Sequence, residues 1–218
     1  MTESTQARDV FRSAYENRYT WDENFPGYSA TLTLKQGDEV YSGQVQVNQD
    51  LSVAVTGIED EKVTESVTNQ MRDIITHRKR SSFEQAHGKN QFSFGETDQT
   101  GAVEILVTGD AMGSNYKVRG KEICQVSRVM GPMAFTINTQ ESLQTGEGYV
   151  SAKYNAVFRN SKTNALRGKS EFEETYEQFG DYYLPTHQVV HSIDQEGNKT
   201  TTEFNFSDIK LLQPASVS

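Results

Sequence analysis

Four histidines (His77, His87, His187 and His191) and one cysteine, Cys124, are the side chains best suited to metal or nucleophilic chemistry in this chain. On an extended strand His187, Val189 and His191 share a face. Four residues at ~3.3 Å rise put the two imidazoles roughly 13 Å apart. One metal ion, with Zn–N bonds of about 2.0–2.1 Å, does not bridge that span. The histidines therefore read as surface or sheet-face residues. Cys124 lies in Glu122-Ile123-Cys124-Gln125-Val126, a strand pattern with no flanking histidine and no helix N-terminus to depress its pKa. It reads as a buried structural thiol. Glu171, Glu173, Glu174 and Glu177 surround Tyr176, and paired carboxylates do acid–base work only where the environment splits their pKa values. As a charge run they read as a solvated face. A catalytic reading requires His187, Glu173 and Tyr176 to meet in one deep pocket. No nucleophile elbow, phosphate-binding loop or HExxH motif occurs. The Gly-rich segments 109–113 and 129–133 open no helix and read as loop tips rather than phosphate cradles. The expectation is a protein that is not an enzyme, with no catalytic residues, metal or cofactor.

Charge narrows the partners. Thirty acidic and 21 basic residues give a net charge of −9, which disfavours nucleic-acid binding by a general electrostatic footprint. Attraction to an anionic membrane needs clustered Lys and Arg, and the one basic run is His77-Arg78-Lys79-Arg80. That run reads as a helix C-terminus, where cations complement the helix dipole. Likewise Glu59-Asp60-Glu61 suits a helix start. No apolar run approaches the ~20 residues that span a bilayer. The start, MTESTQARDVF, has neither a basic region nor an apolar run and reads as no signal peptide. A single cysteine permits no internal disulfide, and the expected setting is cytoplasmic.

The elements that would position any site follow from periodicity. Val10, Phe11, Ala14, Tyr15 and Tyr19 predict a helix over 5–19. Pro26 and Gly27 forbid its continuation, and Trp21 and Phe25 are expected to clamp it to a sheet. Tyr28, Ala30, Leu32 and Leu34 alternate with Ser29, Thr31 and Thr33, as in a half-buried strand. Turns at Gln36-Gly37-Asp38 and Asn48-Gln49-Asp50 make a three-strand meander through Val40–Val47 and Leu51–Thr56. Val63, Val67, Met71, Ile74 and Ile75 predict an amphipathic helix over 61–79. From there the pattern is strand upon strand, beginning with a short one at Phe83–Ala86. The last two are long strands joined at Gln195-Glu196-Gly197-Asn198. Ten to twelve strands and two main helices without β-α-β alternation give an α+β, mostly antiparallel class with one large sheet. Two helices are too few to cover such a sheet. Residues 1–212 are expected to form a single domain, and 213–218 a frayed tail.

The uncovered apolar side is the most promising surface. Met112, Met130 and Met133 lie near loops beside Phe135 and Ile137, and methionine suits an adaptable apolar pocket. A rival reading is a protein-interaction module or assembly factor that uses an exposed aromatic patch of Trp21, Phe25 and Tyr28.

A leading helix, Phe25-Pro26-Gly27-Tyr28-Ser29-Ala30, Gly43 within Tyr41-Ser42-Gly43-Gln44-Val45, and the late Tyr182-Tyr183-Leu184-Pro185, Asp194–Gly197 and Phe206-Ser207-Asp208-Ile209 together carry a resemblance. The chain resembles the LolA/LolB-like lipoprotein-carrier type of curved open half-barrel. Over nearly its whole length it is similar to a family of uncharacterised proteins from cyanobacteria and plant plastids. That resemblance implies an apolar concavity capped by a helix. It would be lined here by Leu32, Leu34, Val45, Val47 and Phe135, with Met71, Ile74, Met130 and Met133 adding to the ligand contacts. The expected function is a non-enzymatic carrier for an apolar or amphipathic molecule, lipid or pigment-like, linked to photosynthetic membranes.

Overall fold

The computed structural model describes residues 3–109 and 114–213. The methionine expected near a pocket at Met112 lies outside them, as does most of the expected tail. Among the described residues three helices, α1 (Glu3–Glu16), α2 (Glu61–Arg78) and α3 (Phe83–His87), accompany twelve strands. These are β1 (Gly27–Gln36), β2 (Glu39–Asn48), β3 (Val53–Thr56), β4 (Gln91–Thr97), β5 (Val103–Thr108) and β6 (Asn115–Arg119) in the first half. β7 (Glu122–Met130), β8 (Met133–Gln144), β9 (Tyr149–Asn160), β10 (Leu166–Phe179), β11 (Tyr182–Asp194) and β12 (Lys199–Leu211) follow. They form one sheet in the order β3-β2-β1-β12-β11-β10-β9-β8-β7-β6-β5-β4. The α+β, mostly antiparallel class read from the sequence holds.

One expected element changes type. Phe83–Ala86 is not a strand but the body of α3. Ser82 accepts a hydrogen bond from the Gln85 N–H, and the Gln85 side chain accepts one from the Ser82 N–H, which is a capping box. Four residues are too few for periodicity to decide, so the cap decides. The first helix spans 3–16 rather than 5–19.

By its internal contacts the chain divides into two compact units. The first comprises Met1–Tyr19, Ser81–Glu173 and His191–Lys199; the second comprises Thr20–Arg80, Glu174–Val190 and Thr200–Ser218. In the first unit, Ala7, Phe11, Ala14 and Tyr15 form the buried stripe of α1. They pack with Phe83 of α3 and with Phe92, Ile105, Val107, Tyr116, Val118 and Ile123 of β4–β7. The end of α1 is pinned to the start of β9: Tyr19 N–H donates to the Tyr149 carbonyl at 2.8 Å, and Tyr149 N–H to the Asn17 carbonyl at 3.0 Å. Gly148 makes this approach feasible, since a Cβ there would lie 2.4 Å from the Asn17 oxygen.

In the second unit, Asp60 caps α2 by accepting from Lys62 and Val63 N–H, at 2.8 and 3.1 Å. The apolar face predicted for this helix is buried through Val63, Val67, Met71, Ile74 and Ile75, and α2 packs on β3. Strand register puts Tyr28, Ala30, Leu32 and Leu34 of β1 on the same face as Gly43, Val45 and Val47 of β2 and Val53 and Val55 of β3. Across β12 the same face continues as Phe206 and Phe204. Gly43 is required here, because a Cβ would sit 2.8 Å from a carbon of Ile58. A bulge in β12, with Asp208 at φ 52° and hydrogen-bonded to Thr31, absorbs one extra residue opposite Ala30.

Candidate functional site

The nine residues expected to hold a ligand fall into two groups. Leu32, Leu34, Val45, Val47, Met71 and Ile74 all belong to the second unit and are 0–5% exposed. They lie in the buried interior of that unit. Met130, Met133 and Phe135 belong to the first unit. Phe135 is half-buried on β8. Met130 and Met133 stand exposed at the β7–β8 turn, at 59% and 36%.

Around Phe135 lies the surface with the clearest binding chemistry. Register aligns Phe135 with Phe158, Ile137 with Ala156, Tyr154 with Phe172 and Ala156 with Ser170. Cross-strand partners share a face, so Phe135, Ile137, Tyr154, Phe158 and Phe172 line one side of β8–β10. All five are half-buried. Tyr154 and Phe172 stack with ring centroids 4.6 Å apart and planes inclined by 10°, and the Phe135 and Phe158 rings are 6.4 Å apart. The same face continues from Ile137 to Val126 and Tyr116, and there α1 covers it. The opposite face of these strands is polar. Gln125, Asn138 and Asn155 form a side-chain ladder at 2.7 and 3.0 Å, and Lys153 pairs with Glu173 at 2.7 Å. These strands therefore set an apolar face against one whose polar side chains are hydrogen-bonded to one another. Sequence reasoning reached Phe135 and Ile137. It missed Tyr154, Phe158 and Phe172, although Tyr154, Ala156 and Phe158 carry the alternation that would have found them.

Of the three residues of the catalytic reading, His187 and Tyr176 belong to the second unit and Glu173 to the first. His187 pairs with Glu203 at 2.8 Å, and Glu173 with Lys153, which holds its carboxyl below the usual range. Tyr176 is buried against Arg78 and donates to Glu174; burial first, and then the Glu174 charge, push its phenol up. Arg78, in the basic run read as a helix end, is therefore also a buried residue whose Nη2 donates to the Tyr176 hydroxyl at 3.3 Å. Gln188 Nε2 donates to Glu174 at 2.6 Å. In this interior the Tyr28 hydroxyl and Gln188 Oε1 have no protein hydrogen-bond partner. Burial raises the Tyr28 pKa as well.

Three further expectations need correction or refinement. The aromatic patch proposed for a protein partner is not exposed: Trp21, Phe25 and Tyr28 are at most 2% accessible. Trp21 and Phe25 stack at 4.1 Å, the indole N–H donates to the Tyr183 carbonyl at 3.2 Å, and Phe25 meets Tyr182 edge-on. They thus serve the second unit's core. His87 is not a surface histidine. It sits 7% exposed among the rings of Phe11, Tyr15, Phe83, Phe92 and Tyr116, with Nδ1 3.2 Å from the Asn90 amide. Burial, aided by the charges of Arg128, Arg18 and Arg8, pushes its pKa down to about 4, so it is neutral near pH 7. Cys124 is only half-buried; its thiol contacts the Lys117 carbonyl, and burial raises its pKa. Among the described residues no group of three or more His, Cys, Asp or Glu could hold a metal ion, and no helix is long and apolar enough to cross a membrane.

Comparison with solved structures gives distant likenesses. A LolA superfamily protein from Nitrosomonas europaea is 12% identical, with 95% of this chain and 94% of that one covered and a TM-score of 0.36. A DUF1329 family protein from Desulfovibrio piger is 7% identical, with 100% and 96% covered and a TM-score of 0.33. MucB, solved in complex with MucA(peri), is 11% identical, with 95% and 99% covered and a TM-score of 0.22. No curated protein sequence matches the chain significantly. Residues 2–212 match the family described as protein of unknown function (DUF3386).

Proposed function

Since this chain belongs to the DUF3386 family, whose function is unknown, we propose from its geometry that it is a non-enzymatic binding protein for an apolar or amphipathic molecule of the lipid or pigment class. The observation that carries this reading is the half-exposed aromatic face of β8–β10, built from Phe135, Ile137, Tyr154, Phe158 and Phe172. On β4–β7 the same face is buried under α1 and α3 at Phe92, Ile105, Val107, Tyr116 and Val118, whereas these five keep partial contact with water. Covering them with an acyl chain or a ring system gains roughly 25 cal/mol per Å² of apolar area. Two aromatic pairs already in contact lose little side-chain freedom when a ligand arrives, so less of that gain is spent on ordering. Few polar contacts are required, which accounts for the absence of a catalytic signature in the sequence.

The test is binding of a fluorescent fatty acid, dansyl-undecanoate, followed by mass spectrometry of protein re-purified from a total lipid and pigment extract. Probe emission should rise on binding and fall when Phe158→Asp is introduced, with the far-UV circular dichroism unchanged. A native protein that neither binds the probe nor retains any extract component would end the proposal.

A further inference from the structure

Five large apolar side chains are strongly exposed among the described residues, and four of them gather at one place. Val129, Met130 and Met133 surround the β7–β8 turn, and Leu166 opens β10; they are 53, 59, 36 and 44% exposed. The fifth, Val40, lies in the other unit. Scattered exposed hydrophobes need no explanation; these four flank the same end of β7–β10, Met130 and Met133 on one face of the sheet and Val129 and Leu166 on the other.

Chain geometry fuses this group into one rim. Ser161 N–H donates to the Pro132 carbonyl at 3.0 Å and Ser161 Oγ to the Gly131 carbonyl at 2.8 Å, tying the β9–β10 turn to the β7–β8 turn. The β9–β10 turn is itself held by Asn160, whose side-chain oxygen accepts from Lys162 and Thr163 N–H at 2.9 and 3.1 Å. Asn164 there adopts φ 58°, a left-handed conformation that asparagine tolerates. The rim is thus an ordered projection rather than a loose loop.

Its charge is opposite to that of the protein. Residues 127–136 and 157–170 contain Arg128, Arg159, Lys162, Arg167 and Lys169 and no carboxylate, in a chain of net charge −9. All five cations are exposed. Arg128 also donates to the Tyr116 hydroxyl at 3.0 Å and Arg159 to the Asn164 carbonyl at 3.1 Å. The neighbouring β11–β12 turn, which reaches β10 where Gly168 faces the Ile193 carbonyl, carries Asp194, Glu196 and Lys199. Asp194 there accepts from the Asn198 side-chain amide at 2.8 Å and from the N–H groups of Asn198 and Glu196, which holds its carboxyl low. Distance in sequence hid this cluster: the β7–β8 and β8–β9 pairings bring Arg128 and residues 159–169 to the same end of the sheet.

We propose that this rim docks the protein on an anionic lipid surface. Met130, Met133, Val129 and Leu166 would enter the headgroup–acyl boundary, and the five cations would meet lipid phosphates. Apolar side chains ringed by Lys and Arg are the combination that such an interface selects. A nucleic acid would use the cations but has no use for four exposed aliphatic side chains. The inference stands whether or not the β8–β10 face is loaded, because it rests on side chains at the strand ends.

Co-flotation of the full chain with vesicles tests it. Phosphatidylcholine vesicles containing phosphatidylglycerol should retain the protein at low salt, pure phosphatidylcholine vesicles should not, and added salt should release it. Met130→Asp/Met133→Asp should lower partitioning about tenfold, and Lys162→Glu/Arg167→Glu by about as much. Val40→Asp should leave it unchanged. Failure to float with anionic vesicles at low salt would overturn the proposal. So would flotation insensitive to the methionine pair, with equal retention on duplex DNA, which would mark a general attraction to polyanions. Probe binding to the β8–β10 face is scored separately, so either proposal can fail alone.

Discussion

Two stretches of one sheet face, both in the first unit, carry similar side chains and differ in what lies above them. Over β4–β7 the face presents Phe92, Val107, Ile105, Tyr116 and Val118, all at most 3% exposed beneath α1 and α3. Over β8–β10 it presents Ile137, Phe135, Phe158, Tyr154 and Phe172, all half-exposed. The register that makes these one face runs without a change of side from Tyr116 through Val126 to Ile137. Alternation therefore decides which residues face inward, while helix placement decides whether an inward face is core or platform. The second unit repeats the covered case, with Leu32, Val45 and Val47 wholly buried.

The largest effect should come from the covered stretch. Phe11→Ala removes a ring that touches Tyr15, Phe83, His87, Phe92 and Tyr116, and it should cost about 3–5 kcal/mol in urea unfolding. A loss under about 1 kcal/mol would mean that this face is no better sealed than its neighbour.

His87 sharpens the same contrast through pH. Its folded pKa of about 4 lies below the ordinary histidine value of 6.5. The unfolded chain therefore binds the extra proton. The stabilisation from neutral His87 is fully present above pH ~6.5 and is lost as pH falls towards 4. Unfolding measured between pH 7 and 4 should show this slope, and His87→Phe should flatten it. A slope that survives the substitution would assign it to the carboxylates.

Phe158→Ala, on the open stretch, should cost only about 1 kcal/mol while it weakens dansyl-undecanoate binding. A stability loss as large as that of Phe11→Ala would show that Phe158 is core and not platform. The smallest effect is expected in the second unit, where Tyr28→Phe removes a buried hydroxyl that lacks a protein partner. It should leave stability unchanged or raise it by up to about 1 kcal/mol. A marked loss would reveal a hydrogen bond held by ordered water.

Most of the architecture was legible because period-two alternation and turn residues survive in the sequence. The runs from Tyr28 to Leu34 and from Leu166 to Phe179 announce their strands directly. The α2 stripe from Val63 to Ile75 was equally clear. Coverage was less legible, because it depends on where three helices come to rest. Leu32 and Phe135 look alike in sequence, yet one is sealed and the other half-open. Phe172 was obscured by its acidic neighbours Glu171, Glu173 and Glu174, which drew attention to the solvated side of β10. His87 was misplaced because α3 is set by a capping box that only Ser82 and Gln85 reveal.

The sheet ends on β3 and β4, and both ends bear on self-association. An outer strand offers unpaired backbone groups to a second molecule. Here β3 is only four residues long, and the β4–β5 ladder breaks register between Phe94 and Thr97. Neither border gives an incoming chain a long regular template, so concentrated solutions of this protein should resist growth into fibrils by strand addition.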